Sequence, residues 1–327
     1  MEAQRRFLEE AKLSQVVENK PALVWVEPST TVASVCDELR LHNILSLPVY
    51  SKETNEFVGI ANVADIALFI AWGSVDLVRK QKEDKPQMSE MELVPRLKFA
   101  DRPITSFFCI FDASDSVYSV LEPLSKGYHR ALVRLTPQAS KPEDYRLLTQ
   151  TDIVRFLFAN RDKLDQALLS QTVAQAGLVQ GRKNMLCVSE DEALNVLQAF
   201  RRMTQRDMNC IGICDKSGRL VCNLSASDLR GMAPDRLKML LLPVRDYLTA
   251  MYGETLCHKL YPITCAPDAK LADVMESVLA HKVHRVWVVD ETEQPVGLVS
   301  LSDIICKFSP YDYKASNTAP ATITSLH

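Results

Sequence analysis

KVHRVWVVDETEQPVGLVSLSDI, residues 282–304, holds two apolar runs separated by a polar turn. VHRVWVVD is rich in β-branched and aromatic residues, and DETEQP interrupts it. VGLVSLSD follows, and a new apolar segment starts directly after Asp303. This punctuation predicts a β-hairpin that feeds a helix. Two features exceed what a hairpin needs. The first strand opens on His284 and Arg285, and the second closes on Ser-x-x-Asp, Ser300 to Asp303.

The closing signature recurs along the chain. VGIANVADIALF carries Asp65, RLLTQTDIVRFL carries Asp152, LVCNLSASDLRG carries Asp228, and VGLVSLSDIICK carries Asp303. Thr149, Ser225 and Ser300 stand three residues before their Asp, and Asn62 takes that place in the first copy. A turn signal precedes each unit: EPST (27–30), ASDS (113–116), VSED (188–191) and APDA (266–269). Each is expected to supply a helix cap. In LADVMESVLAHK, Leu271, Val274, Met275, Val278 and Leu279 define one helical face. ALNVLQAFRRM (193–203) and TVASVCDELRL (31–41) follow the same period. The order β-α-β-β-α therefore appears four times. Each unit buries little surface alone, so the repeats are expected to pair.

Composition narrows the function. Apolar residues make up 47% and charged residues 24%, an ordinary globular balance, and the net charge of −3 gives no global field for nucleic acid or anionic lipid. The longest apolar run, IALFIAW (66–72), is far shorter than the roughly 20 residues of a membrane span. The amino-terminal MEAQRRFLEEAK is charged and lacks the apolar core of a signal peptide. The nine cysteines are scattered without a C-x-x-C pair, which predicts reduced thiols, no zinc site and a cytoplasmic or nuclear setting. His281 and His284 lack a third ligand, so no metal is expected. None of the phosphate-cradling or nucleophile-elbow motifs occurs, and no catalytic role is expected.

With these residues in place, the chain resembles the CBS domain. Four copies in tandem resemble the gamma regulatory subunit of AMP-activated protein kinase. The likeness spans about residues 8–308 and is strongest in the fourth copy. It implies an α/β (α+β) fold of four CBS repeats pairing into two modules in a disc. The repeats would occupy residues 8–73, 100–162, 170–236 and 237–308. Residues 74–99 would form a linker, with 78–97 charged and polar, and 309–327 a disordered tail.

The resemblance also implies a ligand. Paired CBS repeats hold adenine nucleotides in clefts, with the Asp on the ribose hydroxyls and basic residues on the phosphate. A carboxylate accepts from two neighbouring hydroxyls, and an Arg forks onto phosphate oxygens. The expected ribose ligands are Asp65, Asp152, Asp228 and Asp303. The expected phosphate or polar ligands are His129, Arg130, His284, Arg285, Asn209, Thr149, Ser225, Ser300 and Ser302. Ile263 and Thr264 would form an adenine wall. Asp65 would face His129 and Arg130, and Asp228 would face His284 and Arg285. Asp152 would face Leu45 with no cation, and Asp303 would face Asn209. Animal gamma subunits have a basic residue at Asp152 and a lysine at Thr151, so the basic centre is expected to be thinner here. A competing reading makes the four Asp residues helix caps only.

The expected function is that of a non-catalytic regulatory subunit sensing AMP or ADP against ATP, with kinase alpha and beta subunits as partners. An adenosyl compound such as S-adenosylmethionine is a further ligand class. The alternative is a stand-alone four-CBS adaptor that restrains a protein phosphatase, with weak or no nucleotide binding, or a homo-dimeric scaffold. Neither nucleic acid nor membrane is an expected partner.

Overall fold

The computed structural model describes residues 2–63, 66, 108–179, 185–206, 208–230, 234–253 and 261–310. The linker at 78–97, Asp65 and the tail from 311 onward lie outside the described residues.

The hairpin read at 282–304 is present. β10 (Arg285–Val289) pairs antiparallel with β11 (Pro295–Ser300), with Arg285 opposite Ser300. β9 (Thr264–Cys265) adds a parallel edge to β10. The same arrangement occurs twice more. β4 (Arg130–Arg134) lies between parallel β3 (Cys109–Asp112) and antiparallel β5 (Tyr145–Thr149). β7 (Cys210–Cys214) lies between β6 (Cys187–Ser189) and β8 (Leu220–Ser225). In the first copy, β1 (Ser46–Ser51) pairs with β2 (Glu56–Asn62), and a parallel bridge from Val26 to Val49 stands in for the third strand.

Each first helix joins the parallel pair. In the second, third and fourth repeats these are Val117–Ser125, Val196–Gln205 and Leu271–Ala280; in the first it is Val32–Leu41. Leu271, Val274, Met275 and Val278 are buried, on the expected i, i+3, i+4, i+7 stripe. The caps differ from expectation. Ser116 caps from within ASDS, but Thr31 follows EPST, and Asn195 caps instead of VSED. Ser189 is consumed by a short 3-10 turn, Glu190–Glu192, and Lys270 gives no side-chain cap at all. The cap goes to whichever polar residue holds extended backbone directly before the first turn, and the insertion of one 3-10 turn moves that position.

Four interfaces close the repeats into a ring. Repeats one and two meet through aromatic edges: Tyr50, Phe57 and Tyr145 stack T-shaped with centroids 5.1 and 5.0 Å apart. Repeats three and four meet where Trp287, 1% exposed, packs with Met185 and Cys210. Gly212 permits this approach, because a Cβ there would lie 2.9 Å from Trp287 Cη2 and 2.8 Å from Leu220 Cδ1. The tips of these hairpins are tied by Gln294 Nε2 donating to Ser217 O at 2.9 Å. Helices make the other two contacts. One core joins repeat one (Val35, Leu39, Leu47) to repeat three (Phe200, Ile211, Leu224), and a second joins repeat two (Leu121, Ile153, Leu157) to repeat four (Met275, Ile304, Ile305).

The lead-in segments cross between repeats. Helices Glu2–Glu10 and Leu13–Val17 precede repeat one, yet Leu8, Leu13 and Val17 are buried in the core of repeats two and four. Lys12 bridges to Ser116, the cap of the repeat-two helix. Thr172, leading into repeat three, bridges to Lys270 of repeat four; Pro243, leading into repeat four, bridges to Asn195 of repeat three. The repeats therefore exchange their first segments, which ties paired repeats together by backbone as well as by side chains.

Candidate functional site

Each Ser/Thr-x-x-Asp is a reciprocal cap. Thr149 Oγ1 accepts from Asp152 N, while Asp152 Oδ2 accepts from Thr149 N at 2.9 Å and Oγ1 at 2.7 Å. Asp228 Oδ2 accepts from Ser225 N at 2.7 Å and Oγ at 3.0 Å. Asp303 Oδ2 accepts from Ser300 N at 2.8 Å and Oγ at 2.6 Å. Such caps contribute about 1 kcal/mol each. The capping reading thus accounts for one carboxylate oxygen in each of the three described repeats.

The second oxygen separates them. Asp152 Oδ1 accepts from Arg155 at 3.3 Å, and Lys20 donates its ammonium to Oδ2. The expectation of no cation at Asp152 is corrected: the cation comes from Lys20, in the segment before repeat one's turn. Asp228 Oδ1 accepts from Tyr252 OH at 3.0 Å, and burial together with the adjacent Asp228 carboxylate raises the Tyr252 phenol far above its usual range. Asp303 Oδ2 holds the cap alone, and burial raises its carboxyl despite the opposing Ser300 hydrogen bonds and the nearby Lys307 and Arg285.

Four of the predicted polar residues, His129, Asn209, Arg285 and Ser302, meet in one network, while Thr149, Ser225 and Ser300 serve their own caps. Ser302 Oγ accepts from Gln150 Nε2 at 2.7 Å, and the same amide donates to Leu124 O at 2.8 Å. Gln150 Oε1 faces His129 Nδ1 at 3.1 Å, and His129 Nε2 faces Asn209 Nδ2 at 3.5 Å. An Nδ1–H imidazole satisfies both contacts. Arg285 donates to Asn209 O at 2.9 Å. His284 stands beside this chain. Burial, and then the charges of Arg285, Arg130, Arg230 and His129, push its imidazole down to about 3. Five basic side chains from three repeats therefore converge on a half-buried centre: Arg130, Arg230, Arg285, His129 and His284.

Three participants were outside the sequence reading. Gln150 sits one residue after Thr149, Lys20 precedes the first repeat's turn, and Arg230 follows Asp228 by two. Only Gln150 and Arg230 had a signal, their closeness to the capping motif. Ile263 packs on the second core, and its carbonyl accepts from Trp287 N at 2.9 Å; Thr264 is exposed at the start of β9. The basic centre is not as thin as the motif positions imply, because Arg230 adds a guanidinium to it. Among the described residues no three His, Cys, Asp or Glu side chains group as metal ligands, and no helix is long and apolar enough to cross a membrane.

The four βαββ units define a protein of tandem CBS-like repeats. The CBS domain model matches residues 14–71 and 258–309. The chain is 26% identical to an Arabidopsis thaliana SNF1-related protein kinase regulatory subunit gamma-like protein, over 90% of this chain and 93% of that one. It is 22% identical to the Saccharomyces cerevisiae 5'-AMP-activated protein kinase subunit gamma, over 93% and 92%. Protein MJ1225 from Methanocaldococcus jannaschii shares the fold with a TM-score of 0.68 at 19% identity, covering 91% of this chain and 100% of the other. The chain is accordingly a CBS-domain protein distantly related to the gamma subunits of these kinases.

Proposed function

We propose that this protein is a non-catalytic regulatory subunit that binds an adenine nucleotide, AMP or ADP in competition with ATP, and controls a protein kinase made of alpha and beta subunits. The observation that carries the reading is the convergence of Arg130, Arg230, Arg285, His129 and His284 at one centre. Three guanidiniums gathered at one centre repel one another, and an anion relieves that repulsion. Phosphate is the anion suited to forked guanidinium contacts. Asp303, on which Arg285 acts, and Asp228, whose second oxygen accepts from Tyr252, would take the ribose hydroxyls, the Tyr252 phenol giving way to the ligand at Asp228. Binding would bias the ring toward one state, and a bound kinase would read the difference. The setting that fits this role is the cytoplasm or nucleus.

Isothermal titration with AMP, ADP and ATP tests the reading, run beside the Asp228→Ala, Arg285→Ala double variant. Micromolar or tighter binding that the variant loses supports it. No heat from folded wild-type protein removes it, and the four Asp residues are then caps. The second reading, an adaptor for a phosphatase, is favoured by the Lys20–Asp152 pair, which occupies a carboxylate that the nucleotide reading would give to a ribose. The chain is also 25% identical to the Yarrowia lipolytica protein SDS23 over 82% of its length. Co-purification with a phosphatase, indifferent to nucleotide, would select that reading.

A further inference from the structure

Arg230 stands at a position where its counterparts are apolar. Two residues past Asp152 is Val154, and two past Asp303 is Ile305, both fully buried in the core. In repeats two and four an α-helix follows the cap and turns that side chain inward. In repeat three the cap starts only a 3-10 turn, Ala226–Leu229, and Arg230 leaves it with φ −59° and ψ 128°. The change of backbone lets the position carry a charge. Its guanidinium lies near enough to act on both His284 and Tyr252, the phenol that donates to Asp228. The Asp228 carboxylate itself takes hydrogen bonds from Ser225 and Tyr252. Arg230 Nε is buried and has no hydrogen-bond partner among the described residues. A buried unpaired guanidinium donor beside two further guanidiniums calls for an anion.

We infer that Arg230 is a phosphate-binding residue of the central site, its Nε–H and a terminal N–H forking onto one phosphate group that Arg130 and Arg285 approach from repeats two and four. The ligand class is a phosphate monoester or a longer phosphate chain with at least two negative charges. This inference rests on the nucleotide reading above and adds a ligand from repeat three, outside the repeating motif.

The test is isothermal titration of wild type, Arg230→Gln and Arg230→Lys with AMP, inorganic pyrophosphate and adenosine. Wild type should bind AMP. Arg230→Gln should weaken AMP and pyrophosphate by about tenfold or more. Arg230→Lys keeps the charge without the fork and should fall between the two. Adenosine, which has no phosphate, should bind all three proteins alike. The ligand-free Arg230→Gln protein should melt at or above the wild-type temperature, because an unpaired donor and like-charge repulsion are removed. Unchanged AMP affinity in both variants, with wild type binding and Arg285→Ala not, would overturn the role of Arg230 and leave the nucleotide reading standing. No AMP binding by wild type would overturn both. If Arg230→Gln does not fold, the Arg230→Lys titration decides alone.

Discussion

Asp152 and Asp303 share a motif and a cap but differ in their surroundings. Asp152 is 12% exposed and has a cation on each side, Lys20 and Arg155. Asp303 has its cap, and burial holds its carboxyl above the ordinary range. One carboxylate is satisfied by two cations of the chain; at the other, burial outweighs the cap and the nearby Lys307 and Arg285. A Ser/Thr-x-x-Asp motif therefore sets where a carboxylate sits, and residues far away in sequence set what it can accept. On this account the nucleotide sites are unequal, and the side of the ring built by repeats three and four is the responsive one.

The largest expected effect comes from breaking that side. Gly212→Ala would press a methyl group into Trp287 and Leu220. Overpacking of this kind costs about 1–3 kcal/mol, and the interface that positions Arg285 and Asn209 would shift with it. Melting temperature and AMP titration read the two consequences; a variant as stable and as tight as wild type would mean the interface is loose.

Next comes the pair that closes Asp152. Lys20→Met leaves a mostly buried carboxylate without its strongest partner and should lower stability by about 2 kcal/mol. Adding Asp152→Asn should restore much of the loss. Denaturant unfolding of both proteins checks this, and a neutral Lys20→Met would show that the pair is a surface contact only. Asp303→Asn sharpens the contrast. It removes a charge that burial already disfavours, so stability should change by less than about 1 kcal/mol while AMP binding is lost.

At neutral pH the smallest effect is that of His284, which shows only as a pH slope. His284 has an ordinary value of 6.5 and is pushed to about 3 in the folded protein. Below 6.5 the unfolded chain takes up a proton that the native state refuses, so stability falls as pH drops from about 6.5 toward 3, by at most about 1.4 kcal/mol per pH unit. Asp303, raised in the folded state, acts in the opposite direction at the acidic end. The difference between wild type and His284→Gln isolates the histidine. Its slope should be absent in the variant and reduced in wild type saturated with AMP, since a nearby phosphate favours the imidazolium. Equal slopes in all three would place His284 away from any bound phosphate.

The fold was legible because repetition multiplies weak signals. A single hairpin with Ser-x-x-Asp says little, but Asp65, Asp152, Asp228 and Asp303 in phase define the unit. The His-Arg positions were legible for the same reason. Lys20 was not, because its partner is 132 residues away and no local pattern marks an ion pair. Arg230 lies close to the motif, but the switch from α to 3-10 geometry after Asp228 that frees its side chain from the core is not reported by propensity. The exchanged lead-ins were also invisible. Leu8, Leu13 and Val17 form the same apolar pattern whichever repeat they cover, and only tertiary packing decides the partner.

The most direct measurement is the structure of the protein crystallised with AMP. The account predicts phosphate density contacted by Arg130, Arg230 and Arg285, a ribose on Asp228 or Asp303, and the Lys20–Asp152 pair intact. AMP bound at Asp152 with Lys20 displaced, and nothing at the central cations, would contradict it.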